Sequence, residues 1–334
     1  MLKLFERNTV FQIVVILVVT TLLWLPHLAA PQPMTEPSAF APLYGLLYSL
    51  SLSPLAAVII AIVLVIVGGI LLNLMLANAG LVSQNSLLPT FFYILFMSAT
   101  ADTLSPTLIV GIVAIAFVNM LLIHSTLLTI PSSKIFGATA LISICSLFYL
   151  PSLMFLIAYL LVALSYRLYG WRDWMVLLLG LLAPYVLLWI ILYMNGTLAE
   201  SFPAMAAVLT PPHLATVIFQ FSLSLVANAI LLLVFLVSLF VHWRRFGERT
   251  THWQKNATAV VMPTVAALGL LLYNPTLPVN LQFLAIPFAF CATVRFTLNT
   301  QHSSFSARHS FRHQWRSHLK DLLFVIVIVA AIVC

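Results

Sequence analysis

The chain has 334 residues, of which 63% are apolar and only 6% charged. A soluble domain needs roughly 25% charged residues to cover its surface, and with a mean hydropathy of +1.14 this chain must face lipid. Its formal charge of +7 invites a nucleic-acid partner, but the basic residues fall in short loops between hydrophobic runs, which excludes that class.

Lys3 and Arg7 precede the first apolar run, Val10–Leu28. With Ala29-Ala30 behind it, the run mimics a secretory signal. Another span follows, so it reads as an uncleaved first helix. Further spans are expected near Pro54–Ala77, Gln84–Ala101, Ser105–His124, Ile135–Tyr149, Ser152–Tyr166, Asp173–Met194, Leu214–Val241, Ala257–Tyr273, Leu277–Thr293 and Leu319–Cys334. Each is about long enough to cross ~30 Å of hydrocarbon as a helix. The expected fold is therefore all-α: a polytopic transmembrane bundle of about eleven spans, forming one integral membrane domain over residues 1–334. Cys145, Cys291 and Cys334 lie in or at the ends of apolar segments without metal-type spacing, and read as small buried hydrophobes.

The break between the fifth and sixth spans rests on Pro151, which interrupts the helical ladder, and on charge. With the N-terminus cytoplasmic and the spans alternating, all 14 Lys and Arg residues fall on one side, as the positive-inside rule requires. Without the break, everything after it would flip. On the same side, Glu6, Asp173, Glu248 and Asp321 stand beside basic neighbours, and surface pairing accounts for them. Glu36, Asp102 and Glu200 lie on the other face, in three loops that contain no Lys or Arg.

The first outer loop starts too proline-rich for helix. Its later part, Ala41–Leu50, places Leu43, Leu46, Leu47 and Leu50 on one helical face and Tyr44 and Tyr48 on an adjacent strip. This predicts a short helix lying in the interface. In the second outer turn, Asp102 is a candidate cap for the following helix and, alternatively, a catalytic carboxylate. The fourth outer loop carries Glu200 and His213 around a short helix expected at Phe202–Leu209. Carboxylates and imidazoles hold divalent ions or act as general bases. Glu36, Asp102, His27 and His213 thus form a candidate metal set, with a divalent ion as the cofactor it would take. Tyr44, Tyr48 and Glu200 are candidate substrate contacts.

Ionisable groups are not expected at mid-membrane, which argues against a proton-coupled transporter. The polar groups within spans, such as Asn73, Asn119 and Gln282, suit hydrogen bonds between helices. Gly68-Gly69 permits close helix packing. On the cytoplasmic side, the basic loop 295–320 repeats Arg308, Arg312 and Arg316 beside Phe311, Trp315 and Leu319. That pattern predicts an interfacial helix, with Arg308, Arg312, Arg316 and Trp315 on anionic lipid headgroups.

Several features of the first third carry a resemblance. One span leads to an outer loop with Glu36, then Pro42-Leu-Tyr-Gly-Leu-Leu-Tyr48 and Leu52-Ser-Pro-Leu-Ala56. A long span follows, and Asn85-Ser-Leu-Leu-Pro-Thr-Phe91 leads to the turn with Asp102. Residues 10–166 resemble the N-terminal half of the GT-C membrane glycosyltransferases, with 167–334 forming a C-terminal helical half. The resemblance implies a lipid-linked sugar donor at the outer face, Glu36 as the base or metal ligand, and Asp102 as a second ligand or orienting group. It implies envelope glycan metabolism at a bacterial inner membrane, with the bilayer, the lipid-linked sugar and other envelope proteins as partners. Glu36 stands singly where that family commonly has an acidic pair, and the outer face lacks Lys and Arg. The alternative is a non-catalytic membrane scaffold or assembly factor, a degenerate relative of that family, and a transporter is the third. The whole chain also resembles an uncharacterised family of bacterial envelope membrane proteins through Arg172-Asp-Trp174 and Gly180-Leu-Leu-Ala-Pro-Tyr185, which implies no activity.

Overall fold

A computed structural model describes residues 9–83, 86–123, 130–166, 170–209, 223–273 and 281–297. His213, the basic loop with Arg308, Arg312, Trp315 and Arg316, and the last expected span lie outside them. The described residues form helices joined by turns, with no strand among them. In chain order the helices are α1 (Thr9–Ala29), α2 (Pro42–Ser49), α3 (Pro54–Asn78), α4 (Leu88–Ser98), α5 (Pro106–Leu121), α6 (Ser132–Phe148), α7 (Phe155–Ser165), α8 (Trp171–Met194), α9 (Leu198–Leu209), α10 (Leu223–Arg245), α11 (Thr251–Val261), α12 (Pro263–Tyr273) and α13 (Ala285–Thr297). Three are long and apolar enough to cross a membrane: Gln12–Ala29 within α1, then α3 and α8. The molecule is a helical membrane protein.

Local sequence sets several boundaries. The Ser-Pro pairs at 53–54 and 105–106 start α3 and α5: the serine hydroxyl accepts from a free backbone N–H of the first turn, at Ala56 and Leu108. Proline follows where no N–H is needed. Ser105, not Asp102, is thus the cap of α5, and the capping role considered for Asp102 is corrected. A proline also divides the span expected at Ala257–Tyr273: α11 ends at Val261 and α12 begins at Pro263.

At the centre stands α4, every residue of which is buried. Its eleven residues cover only about 16 Å, against the full-length span expected at Gln84–Ala101. It is sheathed by α1, α3 and α13, so its ends meet protein groups rather than having to reach either membrane surface. Gln12 of α1 accepts from the Leu87 N–H at 2.9 Å, satisfying a donor at the start of α4. Gly68 and Gly69 let α3 close onto Tyr93 and Thr90 of α4, and the Thr90 hydroxyl donates to the Gly69 carbonyl at 3.0 Å.

The second tight pair is α6 with α8. Gly180 faces Phe136 and Thr139. Pro184 removes a backbone donor from α8, which frees carbonyls one turn earlier. The Ser143 hydroxyl donates to one of them, at Leu181, as neighbouring helices do for prolines in membranes. The Ser146 and Tyr185 hydroxyls close the seam at 2.6 Å.

Helix ends gather at two poles. At one, the Asn256 side chain is fully buried. Its carbonyl accepts from the Ile123 N–H at 3.0 Å, and its amide donates to the Ile123 carbonyl at 3.0 Å and the Ala79 carbonyl at 3.4 Å. The Tyr166 hydroxyl donates to Asn256 at 3.4 Å. Lys134 donates to the Leu122 carbonyl at 2.7 Å. The chain therefore leaves this pole at the start of α6 and returns to it at the end of α7. It reverses through extended Tyr149 and a 3-10 turn at Leu150–Met154, so α6 and α7 are separate helices with the break at Pro151 between them. Lys134, Arg172, Arg244, Arg249, Lys255 and Arg295 all fall on helix ends or turns of this pole.

Candidate functional site

The opposite pole carries the turn between α4 and α5, residues 99–105. Six of its seven residues are buried: Ala99, Thr100, Ala101, Thr103, Leu104 and Ser105. Such a turn is stable only if its backbone groups are paired; two distant segments pair carbonyls of it, and two more hold a side chain in it or just before it. From α1, the Trp24 indole N–H donates to the Ser98 hydroxyl at 2.8 Å. From the first loop, the Gln32 carbonyl accepts from the Thr103 hydroxyl at 3.3 Å. From α2, the Tyr44 hydroxyl lies 3.0 Å from the Leu104 carbonyl. From the start of the α13 segment, the Gln282 amide donates to the Thr100 carbonyl at 2.8 Å.

Asp102 is the exception. Its side chain is 71% exposed, and its carboxylate lies 3.9 Å from Nε2 of His27, which is 23% exposed. That separation is an ion-pair distance, longer than a hydrogen bond. His27 is the last basic residue of α1, seated with its ring against the edge of Trp24 at 5.6 Å between centroids. The indole that holds Ser98 therefore also positions the imidazole, and both members of the pair rest on the same buried contact.

Tyr44 is fully buried, which places it in the core and not on a surface a substrate touches, contrary to the expectation. Its hydroxyl is 2.9 Å from the Thr35 carbonyl as well as 3.0 Å from that of Leu104, and its one proton serves both. Burial pushes the phenol up to about 12. Through it, the backbone beside Glu36 and the turn of Asp102 are stapled together. The first two acidic loops converge in their backbones, and both carboxylates face outward, since Glu36 is exposed. On α2, Leu46 and Leu50 point outward and Tyr48 is 39% exposed. Glu200 is exposed in the first turn of α9, a helix that begins a turn earlier than expected and rests on Trp189 through Phe202.

The described members of the metal set do not come together as one group. Among the described residues, no three His, Cys, Asp or Glu side chains form a group that could hold an ion. Glu36 does not join His27 and Asp102 in such a group, and His213 lies outside the described residues. One imidazole and one carboxylate are too few donors for a metal centre.

Trp24, Ser98, Gln282 and the structural role of Tyr44 were not evident from the sequence. One signal was present: Trp24 and His27 are three residues apart, so they share a helix face. No protein family, no curated protein and no solved structure matches the chain.

Proposed function

We propose that the chain is a membrane-embedded glycosyltransferase of the GT-C kind, using a lipid-linked sugar at the Asp102 pole in bacterial envelope biogenesis. The observation that carries the proposal is the turn itself: six buried residues, clamped from four sides, present one carboxylate beside an imidazole. Fixed geometry of this kind is what a general base needs. Asp102, with His27 alongside, takes the proton of an acceptor hydroxyl. The hydroxyl oxygen bonds to the anomeric carbon, the bond from that carbon to the phosphate oxygen breaks, and the lipid phosphate leaves with its electron pair. The His27 imidazole offers that phosphate a hydrogen bond at a pole where the described residues supply neither Lys nor Arg. Glu36 orients the acceptor from the adjoining loop. No step is routed through a metal ion.

The segregation of Lys and Arg to the Asn256 pole supports a cytoplasmic position for that pole and for the N-terminus, in an inner membrane. Asp102→Asn, His27→Ala and Glu36→Gln, expressed at matched abundance, test the proposal by transfer of sugar from a polyprenyl-phosphate donor and by envelope glycan analysis. Loss of a general base lowers the rate roughly 10²- to 10⁴-fold. Full transfer by Asp102→Asn and by Glu36→Gln would sink the catalytic role and leave the scaffold.

A further inference from the structure

A niche between α7 and α8, at the Asn256 pole, has no part in that site. Tyr159, Ala163, Asp173, Trp174 and Leu177 line this shallow recess. Asp173 stands in the first turn of α8 next to exposed Arg172. The expected pairing with a basic neighbour is absent: among the described residues the carboxylate makes no ion pair, and the pair of His27 and Asp102 is at the other pole. Tyr159 is 2% exposed, yet its hydroxyl has no hydrogen-bond partner among the described residues. Both side chains line the same recess. An acidic oxygen and a phenol oxygen thus share one recess with an indole.

The position of the niche identifies its ligand. Along the outer flank of α8, Trp171 is 79% exposed, Trp174 46%, Met175 51% and Leu178 48%. Tryptophan at the end of a membrane-length helix marks the headgroup layer. Trp174 and Tyr193 bracket about 29 Å of helix at 1.5 Å per residue, close to the ~30 Å hydrocarbon thickness. We propose that the niche binds the ammonium head of a zwitterionic membrane phospholipid. The ammonium sits against the Asp173 carboxylate, over the Trp174 and Tyr159 rings, as aromatic cages hold such cations, and gives a hydrogen bond to the Tyr159 oxygen. Arg172 and the open N–H groups at the start of α8 take the phosphate. The acyl chains lie along Met175, Leu178 and Leu182. A free amine lacks the last two contacts, which is why the lipid is the ligand.

The test uses the full chain in detergent, exposed to equimolar phosphatidylethanolamine and phosphatidylglycerol, with retained lipid counted by native mass spectrometry. One phosphatidylethanolamine is expected to be retained in preference to phosphatidylglycerol. Asp173→Asn should weaken retention by roughly tenfold or more, and Glu200→Gln, at the other pole, should leave it unchanged. Tyr159→Phe removes a single oxygen and keeps the test decisive if Asp173→Asn does not fold; it should weaken retention severalfold. Equal retention of the two lipids would overturn the proposal, as would retention indifferent to both niche substitutions. Displacement of the lipid by millimolar free ethanolamine would overturn it too, by making a soluble amine the occupant. Because the readout is lipid retention, it is independent of any transferase activity at Asp102.

Discussion

Gly180→Ala tests the seam between α6 and α8. A methyl group at position 180 meets the Thr139 hydroxyl oxygen well inside contact distance, with the Phe136 carbonyl oxygen at 2.7 Å and the Phe136 Cα at 3.2 Å. Two of these atoms are backbone, so no rotamer change clears them. The Thr139 hydroxyl is itself held 3.0 and 3.1 Å from the carbonyls of Ile135 and Phe136. The helices must separate, and the hydrogen bonds from Ser143 to Leu181 and between Ser146 and Tyr185 lie along the same seam. Overpacking costs about 1–3 kcal/mol, and each weakened hydrogen bond adds about 0.5–1.5 kcal/mol. Against this stands the gain of about 1 kcal/mol for replacing glycine by alanine inside a helix. The net expectation is a loss of roughly 1–5 kcal/mol, after these opposing effects. Gly45→Ala in α2 is the control: nothing lies within 4 Å of its added methyl group, so only the helix gain should remain. Reversible unfolding in bicelles measures both. Gly180→Ala as stable as the natural chain, or more so, would refute the close approach.

Three further substitutions follow from the polar ties. Asn256→Ala strands the Ile123 N–H in a buried site, while the Ile123 carbonyl keeps His252 Nε2 at 3.0 Å, and should cost about 1–3 kcal/mol, read in the same unfolding assay; a loss below that of an exposed Asn119→Ala control would refute the knot. Tyr44→Phe should cost about 1 kcal/mol near neutral pH. The Tyr44 phenol is raised from 10.0 to about 12 in the folded chain, so its neutral form is favoured by folding. That contribution is whole below pH 10 and is lost as pH rises toward 12. The gap between the natural chain and Tyr44→Phe should therefore narrow over that window in an alkaline titration of stability. Trp24→Phe keeps a ring against His27 but deletes the N–H to Ser98, and should raise hydrogen exchange in residues 99–105 more than elsewhere at that pole.

The parts of the fold legible in the sequence are those that depend on neighbours in the chain. Length and hydropathy mark α1, α3 and α8, serine and proline mark the starts of α3 and α5, and Pro151 marks the reversal after α6. The break at Pro263 is equally local, but the hydrophobic run continues through it and masks it. What was not legible depends on residues far apart in the chain. Asn256 follows Trp253-Gln-Lys255 and reads as loop; its partners are backbone groups at 79 and 123, which leave no trace in side-chain type. Thr139, Ser143 and Ser146 do form a stripe at helical spacing, a readable sign of a polar seam, but nothing in the sequence pairs it with Gly180 and Tyr185. The candidate site divides in the same way. The exposed carboxylates were found from charge alone. The clamp that fixes one of them was not, because it is made of an indole, a phenol hydroxyl, a side-chain amide and a backbone carbonyl from four distant segments.

Asp102 gives the fold no visible benefit, and that makes its exposure informative. The helix after it is already capped by Ser105, the turn is tied through its neighbours, and a carboxylate that is 71% exposed and 3.9 Å from a partly exposed imidazole adds at most a surface pair of about 0–1 kcal/mol. Asp102→Ala should therefore leave unfolding within about 0.5 kcal/mol of the natural chain. Ser105→Ala, by contrast, should lose about 1 kcal/mol with the cap. A loss above about 1 kcal/mol for Asp102→Ala, beyond the worth of a surface pair, would make the carboxylate structural and remove the ground for placing chemistry there. Stability untouched together with lost transfer would separate the two roles: the buried residues of the turn hold the geometry, and Asp102 uses it.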